Sequence, residues 1–120
     1  MKSKEYQAAA ISFDRSYAEL GNSLDQRKLR LMHAVLGVSG ESGELVDAVK
    51  KHIMYNKPLD VENVKEEIGD LCWYISLALD EIGSSFEEVM KMNIAKLSKR
   101  YPNGYSNKDA IARADKQEAT

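Results

Sequence analysis

The chain has 120 residues, 43% of them apolar, and its 17 basic and 19 acidic side chains leave a net charge of −2. This length and apolar content predict one folded domain and exclude a disordered chain. The balanced charge argues against a dedicated nucleic-acid-binding protein. No apolar run reaches the about 18 residues of a membrane span, and the N-terminus lacks the apolar stretch of a signal peptide. We therefore expect a cytoplasmic protein with no nucleic-acid or membrane partner.

Helical periodicity covers most of the chain, and strand patterns are almost absent. Helix stops are predicted at Gly21-Asn22, at Pro58 and at Gly83, where proline or a left-handed glycine ends a helix. Asp60 is the predicted N-cap of the third helix, and Ser84 and Ser85 both fit the capping-box pattern that opens the fourth. Four main helices are thus predicted, over about residues 3–20, 26–55, 60–83 and 84–100.

The C-terminal part of the chain is more polar. Pro102-Asn103-Gly104 breaks the helical pattern, and residues 107–116 fit a short helix. We predict an all-α fold, an antiparallel helical bundle of about four main helices plus a short C-terminal helix. Residues 1–120 form a single domain in this interpretation, with a core at about 26–101 and a tail at 102–120. The lone Cys72 is predicted to be a small core residue.

Two carboxylate pairs carry most of the chemical information: Glu41 with Glu44, and Glu67 with Asp70. Residues three apart share one face of a helix, so each pair can direct its carboxylates at one point. Helical phase places all four acids beside the apolar stripe. Glu44 and Asp70 are also almost equally far from the turn near Asn56, so a hairpin would bring the pairs to one level.

Converging carboxylates repel each other and need a counter-charge. An all-carboxylate site suits Mg²⁺, with Mn²⁺ as a possible substitute, better than zinc or copper. The alternative is ion pairing with Lys50, Lys51 or Lys65 on a solvated surface. Several glycines lie inside the predicted helices, where each costs roughly 0.5–1 kcal/mol of stability relative to alanine. Close helix packing and room for a ligand explain them equally well.

Four motifs stand in a fixed order along the chain: E-x-x-E, E-x-x-D, Asn93-Ile94-Ala95-Lys96-Leu97 and Lys99-Arg100-Tyr101-Pro102. Together they resemble the MazG-like branch of the all-α nucleoside triphosphate pyrophosphohydrolases. The resemblance spans about residues 30–106. It implies Mg²⁺-dependent hydrolysis between the α- and β-phosphates, which gives a nucleoside monophosphate and pyrophosphate.

The resemblance assigns roles to the acids by position. Glu41, Glu44, Glu67 and Asp70 are the expected Mg²⁺ ligands, and Glu41 or Glu44 is the candidate general base for a metal-activated water. The resemblance also implies a homodimer or a dimer of dimers, with sites near subunit boundaries. The expected partner molecule is a nucleoside or deoxynucleoside triphosphate.

The fourth predicted helix offers phosphate contacts. Asn93 lies in the middle of its apolar stripe, where a polar amide needs a partner, and Lys96 and Arg100 flank it. We hypothesise that these three hold the triphosphate, and that Tyr74, one turn beyond Asp70, contacts a phosphate or a ligand carboxylate. The alternatives are a buried structural bond for Asn93, solvent-directed Lys96 and Arg100, and core packing for Tyr74.

Three other functions are compatible with an all-α chain of this size. A non-enzymatic helical interaction module would leave the acids solvated and would bind no Mg²⁺. A phosphoribosyl-ATP pyrophosphohydrolase shares the chemistry, but nothing in the sequence identifies that substrate. A di-iron bundle requires Glu-x-x-His motifs, and neither His33 nor His52 provides one.

Overall fold

The computed structural model describes residues 1–117, and the all-α prediction is confirmed: these residues form helices and no strand. Within that range no helix has both the length and the apolar character needed to cross a bilayer. The elements, in chain order, are α1 (Ser3–Ser12), α2 (Ala18–Ser23), α3 (Gln26–Met54), α4 (Val61–Glu81), α5 (Phe86–Arg100), α6 (Asn107–Ala112) and a 3₁₀ turn (Ala114–Lys116).

The N-terminal helix predicted over residues 3–20 is wrong in its extent. The structure divides it into α1 and α2, with a break over residues 13–17. The Asp14 carboxylate accepts hydrogen bonds from the backbone N–H of Arg15 and from the hydroxyl of Tyr17, at 2.8 and 2.6 Å. Such local side-chain bonds compete with the helical backbone pattern and end the helix here.

Helices α3 and α4 pack against each other as a long antiparallel hairpin. The predicted N-cap role of Asp60 is confirmed, because its carboxylate accepts a hydrogen bond from the backbone N–H of Asn63 at 3.0 Å. The turn is closed by Asn56 in the left-handed region, with φ of 53°, and by a 2.7 Å hydrogen bond between His52 Nδ1 and the Lys57 carbonyl oxygen.

Ion pairs close the opposite end of the hairpin. Arg27 Nε lies 2.8 Å from Glu81 Oε1, and Arg30 Nη1 lies 3.0 Å from Glu81 Oε2 and 2.7 Å from Asp80 Oδ2. The Glu81 side chain is only 11% exposed, and the hydrogen bonds from the two guanidinium groups hold its pKa below the usual value. This network fixes the register of α3 against α4, and so determines which residues face each other further along.

One glycine is required by the packing of the hairpin. A Cβ atom at Gly37 would overlap the ring of Tyr74, whereas a Cβ atom at Gly40 would meet nothing within 4 Å. Tyr74 therefore lies directly against the α3 backbone. The Tyr74 ring also packs edge to face against the ring of His33, with the two ring centroids 5.7 Å apart. Close helix packing, one of the two explanations open at the sequence level, accounts for Gly37.

Gly37→Ala is expected to lower the free energy of unfolding by about 1–3 kcal/mol, because the new methyl group must displace the Tyr74 ring. The matched control is Gly40→Ala, which is expected to raise it by up to about 1 kcal/mol through helix propensity alone. Urea denaturation of the two variants measures both changes. Equal stabilisation by the two substitutions would show that the Tyr74 contact is not formed.

The hairpin leaves one long apolar face uncovered within a single chain. Successive residues of a helix are rotated by about 100°, and this phase places the apolar residues concerned on one side of the hairpin. Glu44 and Asp70 lie on the opposite side. We call this the apolar hairpin face, and its residues are Val35, Val46, Ile53, Val61, Ile68 and Ile82, all exposed.

The exposed surface is large for the size of the chain. The accessible area is 10049 Å², whereas a compact monomer of 13.5 kDa is expected to expose about 6,500 Å². The radius of gyration is 20.6 Å, against about 13.6 Å for a compact domain of this length. Among residues 1–117 the buried apolar residues are Ala34, Ala48 and Leu79, so one chain buries little core.

Cys72 is exposed, contrary to the core position predicted for it.

Beyond α5 the chain folds back. Ser106 caps α6 by accepting a hydrogen bond from the backbone N–H of Asp109 at 3.1 Å. Both α6 and the 3₁₀ turn pack against α5. The short C-terminal helix predicted over residues 107–116 is present as α6 but ends at Ala112, before the left-handed Arg113. The part of the predicted tail up to residue 117 is folded against α5.

Candidate functional site

Three of the four predicted acids meet in the hairpin. One carboxylate oxygen from each of Glu41, Glu67 and Asp70 lies within 4.8 Å of the other two. Glu41 on α3 and Glu67 on α4 are half-buried along the contact between the helices, and Asp70 is exposed at its edge. The hairpin therefore places three carboxylates at one point, as their helical phase predicts.

The surroundings of Glu67 disfavour its charged form. A hydrogen bond with Glu41 is the largest cause, followed by burial and by the negative charges of Glu41, Glu44 and Asp70, and together they raise the pKa of Glu67 to about 7. Two carboxylates can form that bond only when they share a proton. The pair is thus held together by a proton at low pH and is mutually repulsive above neutrality.

An orphaned oxygen tests whether a cation fits this cluster. When Glu67 is ionised, its Oε2 atom is inaccessible to water and has no hydrogen-bond partner among the described residues. A buried acceptor without a donor is costly, and a bound cation would satisfy it. Oxygen ligands alone, with no His or Cys beside them, are the ligand set that Mg²⁺ prefers. The residues present fit a hard divalent cation.

Glu44 is not part of the three-carboxylate cluster. It is exposed on α3, one helical turn beyond Glu41, and it is close enough for its charge to contribute to the raised pKa of Glu67. Tyr74 lies one turn beyond Asp70, where its ring is packed over Gly37 and against His33. Both predicted site residues therefore border the cluster without belonging to it.

The residues predicted to bind phosphate lie elsewhere in the chain. Asn93 and Lys96 are exposed on α5 and line a groove of about 560 Å³ together with Lys99 and Lys116. Within residues 1–117, α3 packs closely against α4, whereas α5 packs closely against α6 and the 3₁₀ turn. A single chain thus presents the acidic cluster and the basic groove as two separate surfaces.

Arg100 has a partner that sequence reasoning missed. Its Nε and Nη2 atoms lie 2.7 and 3.0 Å from the two carboxylate oxygens of Asp115. The Asp115 side chain is 3% exposed, and the hydrogen bonds from Arg100 hold its pKa below the usual value. No periodic signal marks Asp115, because it lies in a polar segment of mixed charge.

Comparison with known proteins adds a family. The model of the MazG nucleotide pyrophosphohydrolase domain matches residues 27–105. A Mycobacterium phage L5 protein named "Gene 37 protein" is similar, with 30% identity over 79 residues that cover 62% of this chain and 68% of that protein. No solved structure matches the chain. The matched region contains every site residue predicted from the sequence and ends before α6.

Proposed function

Because the chain belongs to the MazG nucleotide pyrophosphohydrolase family, we propose that it hydrolyses nucleoside or deoxynucleoside triphosphates between the α- and β-phosphates. The products are a nucleoside monophosphate and pyrophosphate. The observation that carries this proposal is the meeting of three carboxylates, one of which has a buried oxygen with no hydrogen-bond partner among residues 1–117. Nucleoside triphosphates are abundant in the cytoplasm, where we propose that the protein acts.

Mg²⁺ is the proposed metal, with Mn²⁺ as a substitute. Glu41, Glu67 and Asp70 would hold it, with Glu44 as a further ligand at the rim. Bound Mg²⁺ supplies an acidified water and neutralises charge on the phosphates. Of the two candidate general bases, Glu44 is exposed and outside the cluster, so its carboxylate is the more available to accept a proton from water.

A substrate panel tests this function. Canonical nucleoside and deoxynucleoside triphosphates are incubated with the protein and Mg²⁺, and monophosphate, pyrophosphate and orthophosphate are each quantified. Equal amounts of monophosphate and pyrophosphate are expected for at least one substrate. Release of orthophosphate would contradict cleavage between the α- and β-phosphates. Absence of both turnover and saturable Mg²⁺ binding would favour the non-enzymatic helical module.

We also propose that the active protein is a homodimer or a dimer of dimers. The accessible area of one chain, 10049 Å², exceeds that of a compact monomer by about 3,500 Å². For two chains the surplus is about 7,000 Å², at least as much as obligate subunits bury in total. Part of this surplus is the apolar hairpin face, which runs along both helices. An isologous pairing of two such faces would cover apolar surface on both chains at once.

A further contact between copies, through α5, would complete the substrate site. Asn93 and Lys96 are the proposed contacts to the triphosphate, and Tyr74 lines the site beside Asp70. In one chain the α5 groove has no close packing with the hairpin, so a second copy is the proposed source of the α5 that faces each acidic cluster. The acids and the phosphate-binding side chains of one site would then come from different subunits.

Mixing two inactive variants tests this arrangement. Glu67→Gln and Asn93→Ala are each expected to lower activity strongly, whereas a mixture allowed to exchange subunits regains about a quarter of the wild-type activity. Half of the random dimers are mixed, and each holds one intact site of two. Activity is measured after partial denaturation and refolding together. A mixture no more active than its two components would place each whole site within one chain.

A further inference from the structure

The C-terminal segment that follows the matched family region is built into the basic groove on α5. We call residues 106–117, comprising α6 and the 3₁₀ turn, the C-terminal strap. The family match ends at residue 105, yet Asp115 and Lys116 of the strap line the same groove as Asn93, Lys96 and Lys99. The strap therefore adds side chains of its own to the surface on which the proposed phosphate contacts lie.

A buried ion pair attaches the strap to α5. Both carboxylate oxygens of Asp115 contact the Arg100 guanidinium, at 2.7 and 3.0 Å, and the two side chains are 3% and 17% exposed. A two-bond arginine–carboxylate pair fixes orientation as well as distance. Arg100 thus anchors the strap, and the pair gives Lys116, the residue after Asp115, a defined position.

The backbone of the strap turns sharply to make this contact. Arg113 has φ of 48° and ψ of 56°, a left-handed conformation that a non-glycine residue adopts at a cost of about 1 kcal/mol or more. The turn is held by hydrogen bonds from the backbone N–H of Lys116 to the Arg113 carbonyl and from Gln117 Nε2 to the Ala112 carbonyl, at 2.9 and 3.0 Å. A conformation held in this way favours one position for Lys116.

The charge around the groove suits an anion. Its lining includes three lysines and one amide over a partly apolar floor of Val89, Met92 and Ala95. Asp115 is the carboxylate among its lining residues, and its charge is offset by Arg100. The three ammonium groups are therefore left to act on a ligand, and a phosphate chain offers several charged oxygens to them.

We infer that the strap is part of the substrate site and that Lys116, with Lys96 and Lys99, binds the phosphate chain of the nucleotide. Arg100 and Asp115 are positioning residues in this arrangement and do not contact the substrate. The inference rests on the proposed function and deepens it, since the side chain comes from outside the matched family region.

Lys116→Ala tests the inference, with Lys108→Ala as its matched control, because Lys108 is an exposed lysine of α6 that does not line the groove. We expect Lys116→Ala to raise KM for the triphosphate about fivefold to tenfold with little change in kcat, as for loss of a charge-assisted contact. Lys116→Arg is expected to restore KM, and Lys108→Ala to leave it unchanged. Equal effects of the two alanine variants would overturn the inference.

A binding measurement separates this inference from the proposed hydrolysis. Inorganic tripolyphosphate is titrated into the metal-free protein in the presence of EDTA, so that the acidic cluster does not contribute. Weaker binding by Lys116→Ala, but not by Lys108→Ala, supports the strap as a phosphate site even if no triphosphate is hydrolysed. Unaltered binding with intact hydrolysis would overturn the strap proposal and leave the function standing. A change in oligomeric state on Lys116→Ala would overturn it too, because a second chain would then occupy the groove.

Discussion

Glu67→Gln is expected to lower turnover at least about a hundredfold while leaving the protein folded. The side chain lies at the centre of the carboxylate cluster, and its Oε2 atom has no partner among the described residues. An amide keeps the shape of the side chain but removes a negative charge that the proposed Mg²⁺ needs. Steady-state kinetics with a responsive triphosphate measures the loss, and Mg²⁺ titration measures the expected weaker metal binding.

The same substitution is expected to stabilise the metal-free protein above pH 7. The folded protein keeps a proton on Glu67 up to about pH 7, whereas the usual pKa of an exposed glutamate is 4.5. Between these values the folded state binds more protons than the unfolded state, so stability falls as pH rises and then stays level. Glu67→Gln is expected to abolish this loss of stability with rising pH, because the amide does not titrate. Thermal unfolding in EDTA at pH 5 and pH 8 compares the two proteins.

The control for both measurements is Glu62→Gln. Glu62 is another glutamate of α4, but its side chain is 80% exposed and pairs with Lys65 at 3.3 Å. Its replacement is expected to change stability by less than about 0.5 kcal/mol and to leave turnover intact. If Glu67→Gln unfolds in EDTA at pH 8 while Glu62→Gln does not, the acids of the cluster are structural partners and the proposed metal role is wrong.

Val46→Asp is expected to dissociate the proposed dimer and lower activity at least about tenfold. Val46 lies in the middle of the apolar hairpin face, on the side opposite to Glu44, and is 62% exposed in one chain. A carboxylate buried in a subunit contact costs several kcal/mol, roughly 3 or more, which weakens association over a hundredfold. Light scattering after size exclusion gives the mass, and activity is followed as a function of protein concentration.

Val46→Leu is the control, because it keeps the apolar character of the face and is expected to leave the dimer intact. A wild-type protein that is monomeric at every concentration would contradict the dimer itself. A Val46→Asp protein of unchanged mass would show that the apolar hairpin face is not the contact between subunits. Recovery of activity at high concentrations of Val46→Asp would link the loss to dissociation.

Local rules predicted the secondary structure well where the signals lie within one helical turn. The cap at Asp60, the stop at Gly83 and the helix start after Ser85 all match the structure. The break at Asp14 was missed because its side chain competes with the backbone through bonds that composition and periodicity do not reveal. Helix periodicity reports which face is apolar, but not whether a short polar side chain interrupts it.

The sequence by itself determined the long helices of the hairpin, the spacing of the acids and their common level on its two arms, because helical phase and rise follow directly from residue number. Only the tertiary structure decided that Glu41, Glu67 and Asp70 converge while Glu44 stays at the rim, that Gly37 makes room for Tyr74, and that Arg100 binds Asp115. It also left the α5 groove apart from the acids within one chain. Such pairings join residues distant along the chain, and their choice depends on register, burial and charge, which no local pattern records.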